Sequence, residues 1–163
     1  MLRAAGSPLV WPRAWTLSGA LAPDERVARL RRFVESVSLP GVRRCGTARA
    51  LAEDGTETTA AVVAFALADL DPVPVRVHTG EWVRVTARML VPSTAAKLVV
   101  LGPLGTPRTV PTTLHGDRVE ATFAVDHDGP WLAQLVSTLE NGPRPVLEVA
   151  LFADMEPPPA FAD

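Results

Sequence analysis

From residue 75 to residue 153 the chain repeats one pattern, and that pattern limits what it can fold into. Val119, Ala121, Phe123 and Val125 alternate with Glu120, Thr122 and Ala124, and Trp82, Arg84, Thr86 and Arg88 alternate with Val83, Val85, Ala87 and Met89. A period of two puts one set of side chains on one face of a strand and the other set on the opposite face. Such segments recur at short intervals. Between them lie Thr79-Gly80, the stretch 103–107 (PLGTP), 115–117 (HGD), 127–130 (HDGP) and 140–144 (ENGPR). These are turn-forming residues: Gly supplies positive φ, Pro fixes its own φ, and Asp and Asn bond their own backbone. Pro111 interrupts "RTVPTTL" and demotes that strand to an edge, because proline has no N–H to give to a ladder. Seven short strands at near-regular spacing predict a mainly β chain: an antiparallel β-sandwich of immunoglobulin or fibronectin type.

The first part of the chain reads differently. Residues 23–37 (PDERVARLRRFVESV) carry Val27, Leu30, Phe33, Val34 and Val37 at helical spacing. Pro23 suits a first turn, and Asp24 and Glu25 complement the positive end of the helix dipole. Arg26, Arg29 and Arg32 fall off the apolar stripe and are expected in solvent. Residues 43–52 and 57–70 read as a hairpin around Glu53-Asp54-Gly55, with β-branched Thr58, Thr59, Val62 and Val63 favouring strand in the second arm. Periodicity alone leaves open a helix there, and leaves open whether residues 43–70 join the main sheet. The expected organisation is a leader at 1–22, partly disordered; a small N-terminal helix-plus-hairpin appendage at 23–71; the sandwich at 72–155; and a Pro-rich linker at 156–163. A stiff linker of that kind leads one to expect a further segment beyond it.

Composition removes several classes of function. The 163 residues carry a net charge of -2 and a pI near 5.9. No general basic field is present to attract nucleic acid. Cys45 is the single cysteine, so neither an internal disulfide nor a thiolate-built zinc site can form. No run of about 20 apolar residues is present, the length that a membrane-crossing helix needs. Lys97 is the only lysine, and the wealth of Ala, Val, Pro and Arg fits a GC-rich coding bias. Arg3 and the Ala-Leu-Ala at 20–22 suggest an export signal, but Pro8, Pro12 and Arg13 break its apolar stretch.

Candidate chemistry is sparse. Asp126-His127-Asp128 has the composition of a metal or general-base site, yet neighbouring side chains diverge, and a metal needs ligands converging from separate elements. The triplet is expected to be a bend between two strands. The alternative is a metal-dependent enzyme in which His78, His115 and His127 meet at one end of the sandwich. Asp69 and Asp71 lack the further oxygen ligands of a calcium loop and read as a capped strand end. The stretch 102–108 has no following lysine or helix to make a phosphate cradle and reads as a hairpin turn. Cys45 is expected to be buried and structural. Trp82 and Trp131, each at a strand start, are expected in the core. No cofactor is expected. The one local charge bias is a run of arginines, Arg26, Arg29, Arg31, Arg32, Arg43 and Arg44, with Arg49 beyond. It reads either as a solvated face or as an interaction patch for an acidic protein or envelope polymer.

The stretch from Arg44 to Asp154 contains "GPLGTPRTVPT", "DGPWLAQL" and "GPRPVLEVALFAD". On these it resembles the accessory immunoglobulin-like region that precedes the CAP (SCP/PR-1-like) domain in secreted or lipoprotein-type myxobacterial proteins. The leader departs from that pattern, with no lipobox cysteine, and the His and Glu signature of the CAP domain is not in this sequence. The resemblance implies a non-catalytic accessory domain of an exported or envelope protein, with a CAP domain as partner in a longer chain. It implies no catalytic residue.

Overall fold

The computed structural model describes residues 7–38 and 40–158. The chain divides into two compact units, residues 11–66 and the rest.

In the first unit β1 (Pro12–Ser18) is followed by α1 (Pro23–Ser36), β2 (Val42–Leu51) and β3 (Glu57–Ala66). The strands form an antiparallel sheet in the order β1-β3-β2. The hairpin of β2 and β3 turns at Gly55, which takes a φ of 80° that other residues resist. The apolar second arm is therefore a strand. Its odd-numbered residues from Thr59 to Phe65 are buried. Two expectations need correction. Residues 12–18 of the supposed leader form a full strand, in register with β3 from Pro12↔Ala64 to Ser18↔Thr58. Residues 1–6 lie outside the described residues.

The second correction concerns the helix. Ala22 at its start makes no side-chain cap, so α1 depends on packing rather than on its own termini. The face it packs is not the one read from its valines. Val27 is 51% exposed, whereas Arg26 is only 6% exposed. The guanidinium of Arg26 donates to Thr59 Oγ1 at 3.0 Å, reaches the Gly19 carbonyl at 3.5 Å, and pairs with the Glu57 carboxylate. Arg26, Leu30, Phe33 and Val37 stand four, three and four residues apart, so they share one side. Phe33 stacks on Trp15 of β1, with ring centroids 6.1 Å apart. An arginine stem is apolar enough to join a packing face when its head finds acceptors.

The second unit contains β4 (Ala68–Leu70), β5 (Arg76–Val77), β6 (Trp82–Met89), β7 (Ala95–Leu101), β8 (Arg108–Val110), β9 (Thr112–His115), β10 (Arg118–Ala124), β11 (Gly129–Leu139) and β12 (Gly142–Ala153). One sheet runs β4-β6-β10-β9 and the other β5-β12-β11-β7-β8. This is the immunoglobulin arrangement, in which the first strand is split between the sheets. β4 pairs antiparallel with β6, and β5 pairs parallel with β12. Prolines mark three of the crossings between sheets: Pro72 and Pro74 before β5, Pro92 before β7, and Pro111 between β8 and β9. Each ends a ladder where the chain has to leave it.

The sandwich starts earlier than expected. Residues 68–70, assigned to the appendage from sequence, belong to its first sheet. Residues 7–10 belong to this unit too, and Glu148 N–H donates to the Pro8 carbonyl at 2.9 Å. At the other end Pro157 is buried and Glu156 pairs with Arg76 at 2.5 Å. The expected linker thus begins by packing, and residues 159–163 lie outside the described residues.

The inward faces are those the alternation gave. Val83, Val85, Val119 and Phe123 meet Leu98, Val100, Leu135 and Leu151, all buried. Each such side chain contributes about 1.5–3 kcal/mol on leaving water. The β11–β12 pairing shifts between Leu135 and Val136, a bulge that lets Val146 and Leu147 both be buried. Trp131 is in the core as expected, but Trp82 is 72% exposed. Its alternation with the arginines had already put it on the wet face.

Replacing Arg26 by Ala takes the donor from Thr59 and leaves Glu57 only Arg49, 3.6 Å away. We expect a loss of about 2 kcal/mol, below the cost for a fully buried pair because Glu57 is one-third exposed. Urea denaturation followed at a helix-sensitive wavelength checks it.

Candidate functional site

One pole of the sandwich gathers most of the residues that could do chemistry. It is built from the turn between β5 and β6, the loop after β7, the loop after β10, and the end of β12. Gly80 N–H donates to the Val125 carbonyl at 2.7 Å, and Val125 N–H donates to the Glu81 carbonyl at 2.9 Å. The first and third of these loops are therefore tied together by backbone.

The loop at 102–107 folds beside Trp131. A Cβ on Gly102 would stand 2.9–3.1 Å from the indole ring, so only glycine lets backbone and ring approach this closely. Arg108 lies over the indole, 5.6 Å from its centroid, within cation–π range. It also donates to the Ala124 carbonyl at 2.7 Å and stands 3.8 Å from Asp126. The indole N–H donates to the His127 carbonyl at 3.0 Å. The result is a cleft of about 150 Å³ lined by Gly102, Leu104, Thr106, Arg108, Asp126 and His127, with Trp131 as its floor. Ligand pockets are commonly about 300–1,000 Å³. This one is smaller, and two of its donors, Arg108 and the Trp131 N–H, are already engaged. Asp126, His127 and Asp128 are exposed in the bend, as the turn reading expects.

The other polar cluster at this pole was not anticipated. His78 Nδ1 lies 2.7 Å from Asp154 Oδ1, and Thr79 N–H donates to Asp154 Oδ2 at 2.9 Å. His78 N–H donates to Glu81 Oε2 at 3.0 Å. Because β5 and β12 run parallel, their ends lie side by side and deliver His78 and Asp154 to one place. Asp154 takes a φ of 49°, which Asp and Asn tolerate better than most residues. The Asp154 carboxyl is held down to about 2, first by the Thr79 N–H and hydroxyl and then by His78. The His78 imidazole is raised above 6.5, first by its hydrogen bond to Asp154, then by the charges of Asp154 and Glu81.

The three histidines do not meet. His78 and His127 stand at this pole, but His115 ends β9, whose turn into β10 is at the opposite pole. Among the described residues no three His, Cys, Asp or Glu side chains are grouped to hold a metal ion. Asp69 stands 3.8 Å from Arg88, and Asp71 stands 3.5 Å from Arg118.

The arginines also separate. Arg26 is buried, as described, and Arg29 pairs with Glu25 at 2.6 Å. Arg31 and Arg32 are exposed on α1. Arg43 lies 5.7 Å over the Phe65 ring and donates to the Val37 carbonyl at 3.2 Å. Arg44, one residue on, is on the other face of the strand. Cys45 is exposed rather than buried. It pairs with Val63 in an edge strand, a position the sequence alone did not identify.

No family model and no curated protein matches the chain. Among solved structures it is similar to a polysaccharide lyase, at 14% identity and a TM-score of 0.41 over 63% of this chain and 16% of that one. It is similar to a DUF4785 family protein from Legionella pneumophila, at 13% identity and a TM-score of 0.42 over 64% of this chain and 34% of that one. A chimeric titin Z1Z2 carrying an exogenous decorin peptide aligns over 89% of this chain and 83% of that one, at 13% identity and a TM-score of 0.36. The chain thus spans about a sixth of the lyase and a third of the DUF4785 protein. The fold assignment rests on strand order and register. No helix among the described residues is long and apolar enough to cross a membrane.

Two predictions follow from this pole. His78 should titrate above 6.5 by NMR, and Asp154→Asn should return it toward 6.5 while tolerating the same φ. The raised imidazole contributes stability that is complete below 6.5 and lost as pH rises through its folded value; the lowered carboxylate contributes above 3.8 and loses it as pH falls through about 2. The clamp is therefore strongest between those ordinary values. Gly102→Ala drives a methyl into the Trp131 ring and should cost about 1–3 kcal/mol in urea unfolding.

Proposed function

We propose that the chain is a non-catalytic, immunoglobulin-like spacer or protein-interaction module of an exported or envelope-associated bacterial protein. One observation carries this reading: the reactive side chains at the sandwich pole hold its own loops. His78 binds Asp154, Arg108 binds the Ala124 carbonyl and stands against Asp126, and the Trp131 N–H binds the His127 carbonyl. The cleft among them, at about 150 Å³, is smaller than common ligand pockets. The resemblance to the accessory region ahead of a CAP domain supports the exported setting, with that domain as the partner in a longer chain.

A binding role for the arginine-rich half is the second reading, favoured by the exposure of Arg31 and Arg32 on α1. Salt-sensitive binding to an acidic partner, weakened by Arg31→Glu with Arg32→Glu, supports it.

The non-catalytic reading is tested with zinc. A metal held by His78 and His127 would stabilise the fold by mass action, giving a rise of several degrees in midpoint at about 100 times its Kd. We expect the thermal midpoint of the purified chain to be unmoved by about 100 μM zinc. A rise that His127→Ala abolishes would overturn the reading.

A further inference from the structure

The edges of the sandwich are short. β4, β5, β8 and β9 have three, two, three and four residues, and Pro111 separates the last two. This is how proteins keep unpaired ladders from recruiting strangers. The three-stranded sheet does the opposite. β2 is at its edge, has ten residues and no proline, and every residue in it is exposed. Its register with β3 runs unbroken from Val42↔Ala66 to Leu51↔Glu57. Val42 and Leu51, at its two ends, are exposed apolar side chains.

The phase of the ladder shows which backbone groups are open. Ala52 N–H donates to the Thr56 carbonyl at 2.9 Å, which makes residues 52 and 56 a bonded pair. Bonded pairs alternate in an antiparallel ladder, so even-numbered residues of β2 bond β3. The other neighbour agrees: Gly19 N–H donates to the Glu57 carbonyl at 3.1 Å, so odd-numbered residues of β3 bond β1 and even-numbered ones are left for β2. Arg43, Cys45, Thr47, Arg49 and Leu51 therefore point N–H and C=O groups away from the sheet. No strand meets them among the described residues.

We propose that β2 is a docking edge for an extended acidic peptide segment of a partner protein, which adds to the sheet as a fourth strand. The mode is strand addition, in which main-chain bonds give affinity and side chains give selectivity. Charge selects the occupant. β2 carries Arg43, Arg44 and Arg49 and no acidic residue. A second copy laid antiparallel sets Arg43 opposite Arg49 in one register allowed by this phase and leaves them diagonal neighbours in the register that pairs Arg43 with Leu51. Like charges so placed oppose pairing. An acidic strand meets opposite charge on both faces, since Arg43 and Arg49, the latter 3.6 Å from Glu57, share one and Arg44 occupies the other. This deepens the interaction-module reading and rests on it only for its biological setting.

The test uses the whole chain and a fluorescent peptide of about ten residues in which glutamate alternates with valine or threonine. Anisotropy should show binding that weakens as salt rises from about 50 to about 300 mM. Thr47→Pro removes an outward N–H and spares the inner ladder, so it should weaken binding about tenfold or more with unchanged circular dichroism. Arg44→Glu with Arg49→Glu, which alters no backbone, should reverse the preference to a lysine-bearing version of the peptide. Equal binding of acidic and lysine-bearing peptides by the parent chain, or no binding of either, overturns the proposal. So does concentration-dependent dimerisation that Thr47→Pro abolishes, which assigns the edge to a second copy. A peptide that fails to bind leaves the non-catalytic reading standing, whereas a zinc effect at His127 removes that reading and leaves the docking edge intact.

Discussion

The sandwich depends on one packing event: the valines and phenylalanine of β6 and β10 closing on the leucines and valines of β7, β11 and β12. No disulfide shares the task, because Cys45 is the only cysteine and lies in the other unit. Everything that positions the polar pole is downstream of that contact. Trp131 extends the core to the end of the sandwich beside Phe123, with ring centroids 6.1 Å apart. Arg108 and the 102–107 loop then settle on the indole. The pole is ordered because its floor is the last layer of the core.

The smaller unit solves the same problem with a charged group. Its sheet has three strands and a helix that covers part of one face, so little apolar area is available. Arg26 supplies both a stem that packs and a head that bonds Thr59, Gly19 and Glu57. Its acceptors lie on β3 and at the residue that follows β1, so the head ties the helix to both strands.

Much of this was legible in the sequence, and the failures share a cause. Strand alternation is local and survives into the structure, so Val119, Ala121, Phe123 and Val125 were read inward correctly. The hairpin at Gly55 and the bend at 126–129 were legible for the same reason, since turn chemistry is carried by a few neighbouring residues. Position within a sheet is not local. Whether residues 12–18 pair with β3, whether Cys45 sits on an edge, and whether Asp154 reaches His78 each depend on segments distant in the chain. Arg26 was misplaced because charge was read as a preference for water. Its spacing with Leu30, Phe33 and Val37 carried the correct answer. Trp82 was misplaced because aromatic size was allowed to overrule a pattern that already assigned its face.

The parallel contact of β5 with β12 has a consequence for how the sandwich is made. Arg76 and Phe152 are partners, so one of the earliest strands of this unit waits for the last one to find its place. During synthesis β5 emerges long before its neighbour, and β11 exists for a time with one side uncovered. Contacts this distant in sequence slow folding and prolong the exposure of unpaired ladders. The sandwich therefore cannot close until β12 has been made, and that strand acts as its latch.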